Sequence, residues 1–148
     1  MSEQSLTNMS ELQAVNMMLT TIGEQPIANL NDKAGLQDAS IAQDILHNTS
    51  RQVQSRGWIF NTDLQKVLSP DSTSATGGKI KIDSNVLRID TTAKVRSNKT
   101  DIVERAGFLY DRQNNTYVFK DVAGIKVNQI KLLKFEDLPE TARRYISI

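Results

Sequence analysis

A chain of 148 residues with 39% hydrophobic, 24% charged and only 5% aromatic side chains has the composition of a globular domain that is lean in large core residues. It contains no cysteine, which excludes disulfides and thiolate metal sites and fits a protein that matures in a reducing cytoplasm. The net charge of +1 gives no overall nucleic-acid signature, and no apolar run approaches the ~20 residues that span a bilayer, so no membrane association is expected.

The first predicted element is an amphipathic helix over residues 11–22. It follows a polar arm, residues 1–9, that lacks the charged-then-apolar pattern of a signal peptide. Ser10 is a good N-cap, and Gly23 and Pro26 end the helix because glycine adopts the left-handed conformation and proline blocks resumption. The apolar face, at helical spacing, consists of Leu12, Val15, Leu19 and Ile22. These side chains need a partner surface.

A second, longer helix is predicted over residues 35–56, capped by Asn31 or Asp32 and ended by Gly57. Its apolar stripe consists of Ala39, Ala42, Leu46, Thr49 and Val53, flanked by Leu36, Ile41 and Ile45. The two alanines in this stripe let another helix approach closely, so the stripe can receive the face of the first helix. The opposite face carries Asp44, His47, Arg51 and Ser55.

After Gly57 the hydrophobic period changes from helical to alternating. This change predicts a strand with Trp58, Phe60 and Leu64 on one side. Trp58 and Phe60 form a dense aromatic pair, two residues apart. We expect them to fill the joint between the second helix and the sheet, with Arg56 available to stack on the indole.

Further strands are predicted in the middle of the chain. Residues 69–78 form a loop by composition, and residues 79–90 alternate on both sides of a break, which predicts a hairpin. Two short strands follow at residues 108–111 and 116–119. The asparagine-containing segment 112–115 between them suits a turn.

The last strand is predicted over residues 125–135, with Val127 and Leu133 pointing inward. A helix then begins, with Asp137 as its N-cap and Pro139 in its first turn. This helix has about two turns before the sequence stops, so it must dock on another surface to be stable.

The predicted fold class is therefore α+β. Residues 1–57 form an N-terminal helical part of the connector type, residues 58–135 form a β-rich antiparallel insertion, and residues 136–148 start a C-terminal helix, all within one structural unit. The β-rich middle is interpreted as an insertion between helices that pack together.

None of the candidate catalytic or metal-binding residues has a convincing partner in the sequence. His47 is the only histidine and has Asp44 and Arg51 as helical neighbours, so a surface charge cluster explains it. Carboxylate pairs occur in loops and first turns, where acids have ordinary capping roles; they are Asp32/Asp38, Asp83/Asp90 and Glu136/Asp137. Residues 76–79 contain a fragment of a phosphate-binding loop, but a strand follows where a helix is needed. No cofactor and no metal are predicted.

Charge is unevenly distributed along the chain. Residues 1–57 hold six acidic and three Lys/Arg side chains, a net charge of −3, whereas residues 58–148 hold eleven and fifteen, a net charge of +4. The basic residues of interest are Lys79, Lys81, Lys94, Arg96 and Lys99. They are either solvated surface charge or the lining of a channel that passes DNA without reading its sequence. No stacked aromatic pattern is expected beside them, which argues against sequence-specific recognition.

Two passages, helix-Gly-Glu-x-Pro and Arg-Gly-Trp-x-Phe, resemble the tail tubular protein A family of short-tailed bacteriophages, the head-to-tail adaptors. The first passage matches at Glu11, Leu12, Ala14, Val15, Asn16, Leu19, Ile22, Gly23, Glu24, Pro26 and Ile27. The second matches at Arg51, Gln54, Ser55, Arg56, Gly57, Trp58, Phe60 and Asn61. A weaker similarity follows at residues 138–140 and 144–146, and the β-rich middle is similar only in layout.

The resemblance implies a structural virion protein at the head-tail junction, assembled in the host cytoplasm. Such adaptors form a ring, usually of twelve copies, that joins the portal protein to the tail nozzle and lets DNA pass through its bore during ejection. Helices form the ring body and the β-rich insertion reaches towards the nozzle or neighbouring subunits. No cofactor and no catalytic residue are implied.

The resemblance also assigns candidate roles to residues. Subunit packing is expected at Leu12, Val15, Leu19, Ile22, Ala39, Ala42, Leu46, Val53, Trp58 and Phe60. The basic set from Lys79 to Lys99 becomes the candidate for positions facing the channel or the nozzle. Family members continue with C-terminal helices and a tail that docks on the portal. The chain is thus either a shorter relative or lacks that part.

Two other functions stay open from the sequence. One is a tail-associated polysaccharide hydrolase, which needs a carboxylate pair in a cleft lined with aromatic side chains. The other is a small DNA-binding module that uses the basic middle of the chain.

Overall fold

The computed structural model describes residues 8–31, 37–70, 77–91, 101–119 and 124–148. Helices and antiparallel strands are both present, so the predicted α+β class is confirmed. The chain divides into a helical unit, Met1–Arg56 with Leu133–Ile148, and a β unit, Gly57–Leu132. No helix in the described part of the chain is both long and apolar enough to cross a membrane.

The helical unit consists of α1 (Glu11–Thr21), α2 (Gln37–Gln54) and α3 (Glu140–Ile146), the last preceded by a 3₁₀ turn, Phe135–Asp137. Helix α1 begins where predicted because Ser10 and Gln13 form a capping box, each side chain bonding the other residue's backbone N–H. The buried apolar side chains of this unit are Met9, Ala14, Val15, Leu19, Ile27, Ala39, Ala42, Leu46, Phe135, Leu138, Ala142 and Ile146. Helix α2 packs against both other helices.

Two details of the predicted helices are wrong. The buried stripe of α2 continues through Ser50 and Gln54, whereas Thr49 and Val53 are only partly buried. Asp137 does not cap the last helix, because it lies in the preceding 3₁₀ turn and Pro139 occupies the N-cap position. The proposed cap Asp32 and the flanking Leu36 lie outside the described residues, and Asn31 lies in a turn upstream of α2.

The β unit contains a three-stranded antiparallel sheet in the order β1-β5-β2 and a separate two-stranded hairpin, β3-β4. The strands are β1 (Thr62–Leu68), β2 (Val86–Thr91), β3 (Ile102–Arg105), β4 (Phe108–Asp111) and β5 (Ile125–Lys131). The core of this unit consists of Ile80, Ile82, Val86, Ile102, Leu109, Phe119, Ile125 and Val127, with Leu68 and Ile89 partly buried against it. Val127 thus points inward, as predicted.

The strand predicted to begin at Trp58 is wrong in its start. Ile59–Asn61 form a 3₁₀ turn, and β1 begins at Thr62. The Asn61 side chain accepts the Trp58 N–H at 2.8 Å, and the Thr62 hydroxyl donates to the Trp58 carbonyl at 2.6 Å. These local bonds close a turn that hydrophobic alternation does not reveal. The Leu64 side chain is 71% exposed and lies in an irregular part of β1, so it is not on a buried face of the strand.

The hairpin predicted over residues 79–90 is also wrong. Its first arm pairs with other segments, Lys79 with Val118 and Lys81 with Phe108, whereas its second arm, β2, pairs with β5. The Val86 N–H does donate to the Asp83 carbonyl at 3.1 Å, so a turn exists. It redirects the chain instead of folding it back on itself.

Other strand boundaries differ as well. The predicted strand 116–119 makes isolated bridges at Thr116 and Val118, and β3 was not predicted. Strand β5 ends at Lys131, so Leu133 is not an inward strand residue but belongs to the helical unit. Of the predicted loop 69–78, residues 71–76 lie outside the described residues.

Candidate functional site

A buried arginine holds together the beginning and the end of the described helical unit. Arg143, on α3, is only 7% exposed. Its Nε donates to the Leu138 carbonyl and its Nη1 to the Met9 carbonyl, each at 2.8 Å, and its Nη2 donates to the Glu136 carbonyl. The guanidinium also lies 5.9 Å from the centre of the Phe135 ring. Three carbonyls therefore satisfy the donors of this buried group, and the Glu136 Oε2 atom, 3.7 Å from Nη1, supplies an opposite charge, so the cost of burial is offset.

Two carboxylates of the same region hold the start of α1. Glu140 Oε2 accepts the Met9 N–H at 2.8 Å, and Glu136 Oε1 accepts the Glu11 N–H at 3.0 Å. The hydrogen bond that Arg144 donates to Glu140, together with the Met9 N–H, holds the pKa of the Glu140 carboxyl below its usual value. Glu136 therefore has the ordinary capping role expected of it, on a helix distant in sequence.

His47 has a different partner from those that helical spacing suggested. Its Nε2 contacts Glu11 Oε1 of α1, and Gln43 Nε2 donates to the same oxygen at 3.2 Å. The contact joins α1 to α2 at the surface, where the histidine side chain is 57% exposed. Helical spacing identifies only neighbours on α2, so a partner on α1 could not be predicted from it.

Gln54 closes the base of the β insertion. Its Nε2 donates to the Leu133 carbonyl at 3.1 Å, while its Oε1 accepts the Leu133 N–H at 2.8 Å. The side-chain amide thus satisfies both backbone groups of one residue, as a neighbouring strand would. The chain leaves the helical unit just after Gln54 and returns to it at Leu133, so these bonds hold the exit and the return side by side.

Asp63 of β1 is the second described carboxyl with a perturbed pKa. Gln129 Nε2 donates to it at 3.3 Å, and the Lys131 ammonium lies 3.2 Å away. These two partners, the glutamine bond first, lower the pKa of Asp63 against the opposing effect of partial burial. They join β1 to β5 and are best explained as sheet stabilisation.

In the described part of the chain, no three or more His, Asp or Glu side chains are arranged to hold a metal ion. The buried Asp111 binds its own turn, accepting the N–H groups of Gln113 and Asn114. Asp111 therefore has a structural use. Asp32, one of the paired carboxylates considered earlier, lies outside the described residues.

The predicted packing residues fall into three groups by burial. Val15, Leu19, Ala39, Ala42 and Leu46 are buried within the chain, while Leu12, Val53 and Phe60 are partly buried. Ile22 is 64% exposed and Trp58 is 41% exposed. The Trp58 and Phe60 rings are parallel, with centroids 6.3 Å apart. A role of the whole set in subunit contacts stays a prediction.

Helix α2 has an outward face with an unusual apolar content. Ile41 is 46% exposed and Ile45, one turn later, is 50% exposed. Asp38 and Asp44 flank them and are exposed. We name these four residues the α2 outer stripe. In the sequence both isoleucines flank the apolar stripe of the helix, and the helical period alone does not show that they form a surface.

The outward face of the β3-β4 hairpin brings cations and aromatic rings together. Lys79 Nζ lies 5.6 Å from the ring centre of Phe108 and 5.9 Å from that of Tyr117. The Arg105 guanidinium lies 3.8 Å from the ring centre of Tyr110. The Tyr110 and Tyr117 rings meet edge to face with centroids 4.9 Å apart. We name these five residues the cationic aromatic surface.

This surface was not predicted, because no aromatic side chains were expected to stack beside the basic residues. The alternation of Phe108 and Tyr110 around the buried Leu109 was the available signal, since residues two apart share a strand face. Lys81 is exposed and pairs through its backbone with Phe108, whereas Lys94, Arg96 and Lys99 lie outside the described residues.

The chain is similar in sequence to a known protein family and to a curated protein. The sequence model of a family described as "Tube: Tail tubular protein" matches residues 12–148. The chain is also similar to a curated protein named tail tubular protein A from Klebsiella phage KP34. The two are 29% identical over 139 residues, which make up 94% of this chain and 68% of that protein.

Proposed function

The chain belongs to the tail tubular protein family, and on this premise we propose that it is the head-to-tail adaptor that joins the portal of the capsid to the tail nozzle. Membership makes the protein a structural component of a phage tail and of the virion. The position at the junction is our proposal. The family match over residues 12–148 carries it, since it includes the helical unit and the β unit alike.

In this proposal the subunits form a ring, of twelve copies, that assembles in the host cytoplasm and surrounds the channel for DNA ejection. The helical unit forms the ring body, and the β unit reaches towards the nozzle or a neighbouring subunit. Lys81, Lys94, Arg96 and Lys99 remain the candidates for positions that face the channel or the nozzle, whereas Lys79, the fifth residue of that basic set, is part of the cationic aromatic surface. The proposal assigns no catalytic residue and no cofactor.

The proposal is tested by locating the subunit in intact particles. Cryo-electron microscopy of the phage is expected to show a ring of this protein between the capsid portal and the nozzle, and native mass measurement of the isolated junction gives its copy number. A particle that lacks the protein, or that carries it elsewhere in the tail, would contradict the proposal.

A further inference from the structure

The proposed ring requires two different surfaces on every subunit, because a head-to-tail contact joins unlike patches of neighbouring copies. The two units of this chain carry opposite net charge. The helical unit has nine acidic and six basic side chains, and the β unit has eight acidic and twelve basic ones. This division favours a contact between the helical unit of one copy and the β unit of the next.

The α2 outer stripe has the features of one half of such a contact. Its two isoleucines are one turn apart, so they form a single apolar strip instead of scattered exposed residues. The carboxylates of Asp38 and Asp44 stand on either side of that strip. A partner of matching chemistry presents apolar or aromatic side chains flanked by positive charge.

The cationic aromatic surface presents those groups. The partly buried rings of Tyr110 and Tyr117 contact each other, Lys79 lies near both Tyr117 and the partly buried Phe108, and Arg105 lies over Tyr110. The ring contacts hold both cations in place, so an incoming carboxylate orders them at a lower entropic cost. Aromatic and arginine side chains are also the residue types enriched at protein interfaces.

We propose that the cationic aromatic surface of one copy packs against the α2 outer stripe of a second copy, with the isoleucines on the rings and the carboxylates beside Lys79 and Arg105. The inference rests on the proposed function, since it names the subunit contact of that ring. A second copy is favoured over duplex DNA. Sequence-independent DNA binding depends on cations projected towards phosphates, whereas these two cations lie near the faces of aromatic rings.

Photo-crosslinking in assembled particles tests the contact directly. With p-benzoylphenylalanine in place of Ile45, irradiation is expected to join two copies of the chain through a peptide that contains Phe108, Tyr110 or Tyr117. The same probe in place of Leu64, an exposed apolar residue of β1, serves as the matched control. Crosslinks from position 45 only to another protein, to another segment, or to nothing would overturn the inference.

Charge reversal tests the same pairing through assembly. The double variant Lys79→Glu/Arg105→Glu and the double variant Asp38→Lys/Asp44→Lys are each expected to raise the protein concentration needed for half-maximal ring formation by at least roughly tenfold, because like charges then meet. The variant with all four substitutions is expected to recover assembly. Reversal of two exposed lysines of the other sheet, Lys66→Glu/Lys126→Glu, is the matched control.

The outcomes separate this inference from the proposed function. Rings that form normally with either double variant, or a fourfold variant that stays dispersed while remaining folded by circular dichroism, overturn the contact but leave the adaptor role standing. Loss of salt-dependent binding to a short DNA duplex without any effect on assembly assigns the surface to nucleic acid instead. Absence of the wild-type protein from particles overturns both.

Discussion

Arg143 illustrates how single residues organise the helical unit. Its three carbonyl partners come from α1's leading segment, from the 3₁₀ turn and from the residue before Pro139, so one side chain joins three backbone segments. The burial of Arg143 could not be predicted from the sequence, because an arginine on a short C-terminal helix is expected to be an exposed surface charge. The burial arises from tertiary packing around Met9 and Phe135, which local pattern does not encode.

We expect Arg143→Lys to lower the free energy of unfolding by about 2–4 kcal/mol, because one ammonium cannot reach all three carbonyls and leaves buried acceptors unpaired. Denaturant titration followed by circular dichroism measures the change. The matched control is Arg144→Lys on the same helix. Its side chain is 62% exposed and keeps its pairing with Glu140, so a change within about 0.5 kcal/mol is expected. Equal losses in the two variants would contradict the role given to Arg143.

Glu140 makes stability depend on pH. Its pKa is lower in the folded chain than in the unfolded chain, owing to Arg144 and the Met9 N–H, so its stabilising contribution is present above its unfolded pKa and is lost as pH falls through the folded one. We therefore expect wild type to melt at a higher temperature than Glu140→Gln at pH 7, with the difference closing below about pH 4.

Thermal melts across that pH range check the sign of the Glu140 effect. The exposed acid Glu24, replaced as Glu24→Gln, controls for the loss of one negative charge. A gap between wild type and Glu140→Gln that widens on acidification would refute the assignment.

Elements differ in how far the sequence specifies them. The helix α1 was predicted to within one residue, since a capping box, a helical period and Gly23 agree with one another. The partners of the strands were not predicted, because the pairing of β2 with β5 depends on residues far apart in sequence. The hairpin predicted at 79–90 failed for this reason: alternation identifies extended segments but does not say which of them pair.

The β3-β4 turn offers an element-scale test. Ala106 and Gly107 connect these strands with φ values of 54° and 81°, the pair of positive angles that a type I′ turn requires. Alanine is strained in this region, whereas asparagine tolerates it.

We expect Ala106→Asn to raise the free energy of unfolding by roughly 0.5–1 kcal/mol and Ala106→Val to lower it by a similar or larger amount. The denaturation midpoint of the β unit, followed by the fluorescence of Trp58, the single tryptophan of the sequence, measures both. A stabilising valine would show that the turn is not of this type.

At the scale of the whole molecule, the candidate contact surfaces were only partly predictable. The uneven distribution of charged residues along the sequence indicated two parts of opposite net charge, and this follows from composition alone. Which residues form each surface required the structure, because Ile41 and Ile45 look like core residues by period and the ring contacts of Lys79 join three separate segments.

Each unit has its own buried residues, and Gln54 bonds both backbone groups of Leu133 where the insertion leaves and returns. We expect a variant in which a short Gly-Ser linker replaces residues 57–132 to keep helical circular dichroism and a cooperative melt, because Arg56 and Leu133 need only a brief connection. Adding Arg143→Lys to that variant is expected to lower its melting temperature. Loss of cooperative melting in the linker variant would show that the helical unit depends on the insertion.

The bond between the Met9 carbonyl and Arg143 spans 134 positions of sequence, and the one between Met9 and Glu140 spans 131. These contacts set an order of events during synthesis. The β unit, residues 57–132, is complete in sequence before α3 leaves the ribosome, whereas the helical unit must wait for it. Until then the apolar faces of α1 and α2 lack their last partner. The N-terminal part of the chain is therefore synthesised first but completes its packing last.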